Sequence, residues 1–307
     1  MKKLKLFYFL SLSYFSVFAQ EINSPSLAFE FLNQFHNVRD FTISKNQDEV
    51  YFTVQSSNEE VSKIAFSKKI KNIWSAPQLV DFSSDSRDLE PFLTYDGLRL
   101  YFASNRLKTE NDTNTKDFDI WYVERKDIKS AWSKPINVGF PINTEKDEFY
   151  PSVTKNGNLY FTCINEKSLG KDDIFVSKWK DGKYSEPENM GTNINSEGYE
   201  FNAYVSPEES FIIFTAYNRK DGYGSGDLYI SYNENGNWSL AQNLSIEINS
   251  KQMDYCPFYD VNSNTLYFTS KRNFVQDKKF NSIEEFQKEI SKVENGFSRI
   301  YKINIKL

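Results

Sequence analysis

Histidine occurs once, at His36, cysteine twice and methionine three times in 307 residues. That stock nearly excludes the common zinc sites, cysteine–histidine nucleophile pairs and histidine-dependent serine triads before any motif is sought. Basic residues are outnumbered, 37 Lys and Arg against 42 Asp and Glu for a formal net charge of -5, so no overall positive field exists to hold nucleic acid or an anionic membrane. Nucleic acid is therefore not an expected partner. Only one stretch is long and apolar. It runs from Leu6 to Phe18 after Lys2, Lys3 and Lys5 and ends at Ala19-Gln20, the charged, apolar and small-residue parts of a secretory signal. The run is broken by Ser11, Ser13 and Ser16 and is shorter than a spanning helix of about 20 residues. Residues 1–19 are read as a cleaved signal peptide, residues 20–307 as one exported domain, periplasmic or secreted, without a membrane span. No cysteine follows the apolar run to carry a lipid anchor, and Cys163 and Cys256 are expected as two separately buried thiols.

What the chain has in quantity is aromatic side chains, 19 Tyr and 27 Phe, a composition suited to pleated, half-buried surfaces. They recur with a period near fifty residues, the length of a four-stranded propeller blade with its loops. Five strand cores align: Val50-Tyr51-Phe52-Thr53, Leu100-Tyr101-Phe102-Ala103, Leu159-Tyr160-Phe161-Thr162, Ile212-Ile213-Phe214-Thr215 and Leu266-Tyr267-Phe268-Thr269. Before them stand turns such as Tyr95-Asp96-Gly97 and Lys155-Asn156-Gly157, which require positive φ and so pair the first two strands of a blade as a hairpin. A third strand follows, opened by Asp119, Asp173 and Asp227 in the middle units. A fourth is expected to begin at Trp74-Ser75, Trp132-Ser133, Tyr184-Ser185 and Trp238-Ser239, with Pro77, Pro135 and Pro187 marking an outer edge. The last unit stops after its third strand. Residues 23–29 resemble the missing outer strand without its aromatic, so the chain's beginning is expected to close the fifth blade and leave no sheet edge. The expected fold is an all-β, five-bladed propeller of four-stranded antiparallel blades. One departure is a short helix inserted in blade five, capped by Ser282 with Glu285 three residues on, and keeping its period through Ile283, Phe286, Ile290 and Val293.

The runs Glu90-Pro91-Phe92-Leu93-Thr94-Tyr95-Asp96-Gly97-Leu98-Arg99-Leu100-Tyr101-Phe102-Ala103-Ser104-Asn105-Arg106 and Gly222-Tyr223-Gly224-Ser225-Gly226-Asp227-Leu228-Tyr229-Ile230 resemble TolB-like β-propeller repeats, relatives of the WD-type repeat. The resemblance spans nearly the whole chain after the signal. It implies an exported protein of Bacteroidota type, similar to the propeller part of cell-envelope proteins that carry an OmpA-like domain; none is expected in this chain. A role in binding or scaffolding follows from it, but no named partner.

Candidate binding residues are the acids that open four inner strands, Asp88, Glu148, Glu200 and Asp254, with the basic residues Arg106 and Arg272 after two second strands. They could ring the channel. The competing reading is structural, each acid paired with Arg106, Asn165, Asn218 or Arg272 in turn, because repetition alone produces equivalent ion pairs. Asp119, Asp173 and Asp227 are expected to accept hydrogen bonds from nearby loops. Gly170-Lys171-Asp172-Asp173 and residues 220–227 match neither a calcium nor a phosphate loop and read as connectors. The polar insert 108–116 is a candidate recognition loop, since connectors carry binding variation. His36 reads as a packed or hydrogen-bonded residue, and the Trp74, Trp132, Tyr184 and Trp238 series as inter-blade packing. No residue is assigned as catalytic or as a metal ligand, and no cofactor is implied. The expected function is an exported, non-enzymatic propeller that binds a protein or envelope component. The alternative is a secreted carbohydrate-active hydrolase or lyase, whose two carboxylates should break the repeat.

Overall fold

The computed structural model describes residues 24–108 and 117–307. The expected signal peptide and residues 109–116 of the polar insert lie outside the described residues. Five antiparallel sheets form, one per sequence repeat. Their inner strands are Val38–Ile43, Asp88–Leu93, Glu148–Val153, Tyr199–Val205 and Asp254–Asp260. The second strands carry the Tyr-Phe cores, and Phe52, Phe102, Phe161, Phe214 and Phe268 are all fully buried. Alternation explains the pattern: successive side chains of a strand point to opposite faces, and both faces of a blade are covered by its neighbours.

The ring closes as expected. Ser26–Leu27 pairs with the last strand, Arg299–Asn304, in the register Ser26↔Lys302 and Leu27↔Tyr301, and the Ala28 amide donates to the Ile300 carbonyl at 2.9 Å. Phe29 then stacks on Tyr267 and meets Trp74 edge-on, joining blade five to blade one.

The outer strands differ from expectation. The aromatic-Ser pairs do not begin them. In blades one, three and four they end a small hairpin, Trp74 opposite Lys69, Tyr184 opposite Trp179 and Trp238 opposite Asn233. The strand that pairs with the blade follows only at Gln78–Leu79, Ile136–Asn137, Glu188–Asn189 and Gln242–Asn243. In the first three blades the intervening proline lacks an amide donor, so the pairing cannot run through it. The aromatics themselves do pack between blades: Trp132 donates to the Tyr51 hydroxyl at 3.1 Å, the Tyr184 and Tyr101 hydroxyls are 3.3 Å apart, and Trp238 meets Tyr160 edge-on.

The helix is Ile283–Ile290, shorter than its apolar period, with Ser282 accepting from the Glu285 amide. Its apolar face is turned outward: Ile283, Phe286 and Ile290 are exposed and Glu289 is the buried member, ion-paired with Lys278 and Lys292. No helix among the described residues is long and apolar enough to cross a membrane. Both cysteines are buried free thiols. His36 is exposed, and its carbonyl accepts from Arg299.

Candidate functional site

Each inner strand carries a bulge two or three residues after its opening position, because one residue there takes positive φ: Asp40, Glu90, Tyr150, Asn202 and Cys256, at 53°, 60°, 50°, 53° and 51°. A left-handed residue is costly for any side chain but glycine, and its repetition at one place in all five blades marks the channel as over-determined by the fold. The bulges bring the five side chains together. Arg39 bonds Asp40 at 2.8 Å, Glu90 at 2.9 Å and the Cys256 sulfur at 3.3 Å, and lies 5.1 Å over the Tyr255 ring. Glu90 accepts from Arg39 with one oxygen and from the Tyr150 amide with the other, at 2.7 Å. The Cys256 thiol donates to Asn202 Oδ1 at 3.4 Å. Burial pushes the Glu90 carboxyl up to about 7 although Arg39 opposes it, and burial also raises the Cys256 thiol.

Above this floor opens a funnel of about 710 Å³. Its wall is aromatic, from Phe118, Phe149, Tyr199, Phe201, Tyr217 and Tyr255. Charge is mixed at the rim, with Arg87, Lys271, Glu59, Asp147 and Asp172. Lys271 pairs with Glu59 at 2.9 Å, and Arg87 lies 5.1 Å over Phe118. Asp172 is held up at about 6 by burial, with Asp173 and Asp147 adding repulsion. Towards the other mouth the channel is plugged, because Phe41, Phe92 and Tyr204 all converge on the Phe258 ring within 5.2–6.3 Å, leaving a hollow of only 30 Å³. The funnel is blind-ended.

The six residues singled out from the sequence stand behind this wall and do not line it. Asp88 is bonded by Arg106 at 2.7 Å and by the Ser104 hydroxyl at 2.6 Å; Asp254 is paired with Arg272 at 3.6 Å. Glu200 is paired at 2.9 Å with Arg219, not with Asn218, because Asn218 itself takes positive φ and inserts one residue before the arginine. Among the described residues Glu148 has no ion-pair partner: Asn165 turns to the Cys163 sulfur, and the carboxyl accepts from the amide and hydroxyl of Thr144. Burial therefore raises Glu148 to about 8, with Asp119 and Asp117 adding to it. Asp119, Asp173 and Asp227 accept from Asn137, Asn189 and Asn243 of the outer strands at 2.6–3.1 Å, and the last two also from amides of the preceding connector. Gly224 is required there, since a Cβ would lie 2.2 Å from the Gln252 carbonyl. No group of three or more metal-ligating side chains exists among the described residues.

The column Asp40, Glu90, Tyr150, Asn202 and Cys256 was not singled out from the sequence. A signal was present: in four units it lies two residues after the repeated acid, and it differs in every unit.

No family model matches the sequence, and no curated protein matches it. Solved structures with a similar fold include an α-L-arabinofuranosidase from Podospora anserina in complex with cellotriose, at 10% identity over 91% of this chain and 94% of that one, with a TM-score of 0.53. An endo-arabinanase from Bacillus licheniformis is similar at 12% identity over 88% and 94%, TM-score 0.52. A TolB-type propeller from Agrobacterium tumefaciens shares 12% identity over 76% and 69%, TM-score 0.49. At these identities the likeness concerns the fold alone.

Proposed function

We propose that the protein is an exported binding propeller whose funnel grips a protein segment or other envelope component without transforming it. The observation that carries this reading is the union of an open aromatic wall with a saturated floor. Both oxygens of Glu90 accept hydrogen bonds from within the protein, which fixes the carboxyl in the floor and leaves it no freedom to swing a proton toward a bound ligand. General acid catalysis needs such a proton within reach of the leaving oxygen. Asp88, Glu148, Glu200, Asp254, Arg106 and Arg272 brace the wall, and contact with the partner passes to Phe149, Tyr199, Phe201, Tyr217 and Tyr255. Pockets of this size, apolar with a few placed charges, are the usual form of a recognition site.

The hydrolase reading has one observation in its favour: Glu90 at about 7 and Asp172 at about 6 occupy one funnel. A single pair of experiments separates the two. Immobilised full-length protein should retain an envelope component that Phe149→Glu loses at least tenfold, and the wild-type protein should leave arabinan and other polysaccharides intact. Turnover that Glu90→Gln or Asp172→Asn abolishes would overturn the binding reading, as would equal retention by Phe149→Glu.

A further inference from the structure

The interfaces between successive blades are built from equivalent positions, and that between blades two and three leaves a gap where two others are bridged. Between blades one and two, Glu49 at the start of a second strand meets Arg125, which follows the third strand of blade two; the guanidinium is buried, bonds Glu49 at 2.7 Å and lies 4.3 Å over Trp132. Between blades three and four, Glu209 crosses to bond Asn158 at 2.8 Å and the Tyr160 hydroxyl at 2.7 Å. Between blades two and three the position of Glu49 is Arg99 and that of Arg125 is Trp179. No ion pair forms across the gap between these two. Arg99 turns back to Glu124 of its own blade at 3.1 Å, both side chains remaining over two-fifths exposed. The space so left is a cleft of about 620 Å³ at the end of the inner strands opposite the funnel.

Its walls are Tyr95, Tyr101, Trp179 and Tyr184. Trp179 is 39% exposed yet held firmly: its ring meets Tyr184 edge-on at 4.7 Å, its amide donates to Asn158 at 3.0 Å, and Gly157, at φ 91°, leaves room for it where a Cβ would come within 3.0 Å. Besides packing on Tyr184, the fixed and partly exposed indole offers a flat apolar face that Lys69 and Asn233, its equivalents in blades one and four, lack. Around it the polar groups alternate. Arg99 and Lys155 donate, Asp96 and Glu124 accept, and the hydroxyls of Thr94 and Thr154 can do either. Arg125 is committed to Glu49 and Lys155 to Glu208, Arg99 and Glu124 pair with each other, and Asp96 accepts from the Thr94 hydroxyl and the Leu98 amide of its own turn, so no unpaired charge in the cleft calls for a charged ligand.

Flat aromatic faces beside balanced donors and acceptors match the two kinds of surface on a sugar, its C–H faces and its hydroxyl edges. From this we infer that the cleft between blades two and three is a second binding site, separate from the funnel, for a short neutral oligosaccharide seated on Trp179.

The test is titration of the full-length protein with neutral hexasaccharides of glucose, N-acetylglucosamine and arabinose, read by intrinsic tryptophan emission and by calorimetry. At least one should give a saturable change. Trp179→Ala should weaken it tenfold or more, Trp179→Phe should keep it within a few-fold, and Arg99→Ala should weaken it at an unchanged melting temperature. Tyr255→Ala in the funnel should leave it untouched, which separates failure of this site from failure of the funnel. The inference is overturned if none of the three sugars binds, if Trp179→Ala binds like wild type while remaining folded, or if the funnel variant is the one that loses binding.

Discussion

Asp88 is sealed from solvent, and its charge is tolerable because Arg106 and Ser104 hold one oxygen and Ser84 the other. Removing one member of a buried pair leaves the other uncompensated, which commonly costs about 3–5 kcal/mol, whereas removing both together is far milder. Arg106→Met should therefore lower the free energy of unfolding by that order in urea melts, and Asp88→Asn with Arg106→Met should recover most of it; equal losses would mean that the ion pair is incidental. Glu148 is the complementary case, an acid that no cation among the described residues pairs with. Its carboxyl titrates near 8 in the folded protein and near 4.5 when unfolded. Between those limits only the folded state holds the proton, so stability falls as pH rises, by at most about 1.4 kcal/mol per pH unit. Glu148→Gln should flatten that slope between pH 5 and 8, as measured by melting temperature against pH. The acids were legible in the sequence because they repeat. Their partners were only partly so: Arg106 and Arg272 sit at equal spacing from the Tyr-Phe core, but the backbone turn at Asn218 shifts Arg219 by one place, a local conformation that no spacing records.

At the level of the strand, what repeats is the hydrogen bond as much as the apolar side chain. Asn143, Asn195 and Asn249 each accept from and donate to the backbone of one third-strand residue, Ile120, Ile174 and Leu228, at 2.8–3.1 Å, so a side-chain amide does the work of a further strand. That is why two-residue outer strands suffice and why Asn precedes the acid by five residues in three units. The sequence displayed these asparagines but not their pairing, and the proline-containing segments were placed one step too early because an aromatic with serine reads as a strand opening. The inserted helix was visible from its cap. Its orientation was not, since amphipathic period argues for an apolar face turned inward, while Lys278 and Lys292 draw Glu289 inward and turn the apolar residues out. Both candidate sites escaped notice for a related reason: Glu90 and Trp179 sit in columns that differ in every blade, and their neighbours in space come from other blades.

Across the whole ring, one apolar cluster gathers residues from every blade and from the segment that closes it, including Ala28, Phe52, Tyr101, Phe161, Ile213 and Phe268. Blades joined in this way should unfold together, because opening any interface exposes part of a shared core. The join made by the chain's beginning is the weakest by construction, a pair of residues and a stacked Phe29 rather than a covalent hairpin. Ala28→Pro removes the amide that donates to Ile300 and so tests closure without touching either site. In the wild-type protein, tryptophan emission, which reports from blades one to four, and far-ultraviolet circular dichroism, which reports from all five, should give coincident urea transitions. In the proline variant the midpoint should fall and the two curves should separate, with higher oligomers on gel filtration as the Arg299–Asn304 edge becomes available for pairing. Coincident curves at an unchanged midpoint would mean that the ring holds by its blade interfaces alone.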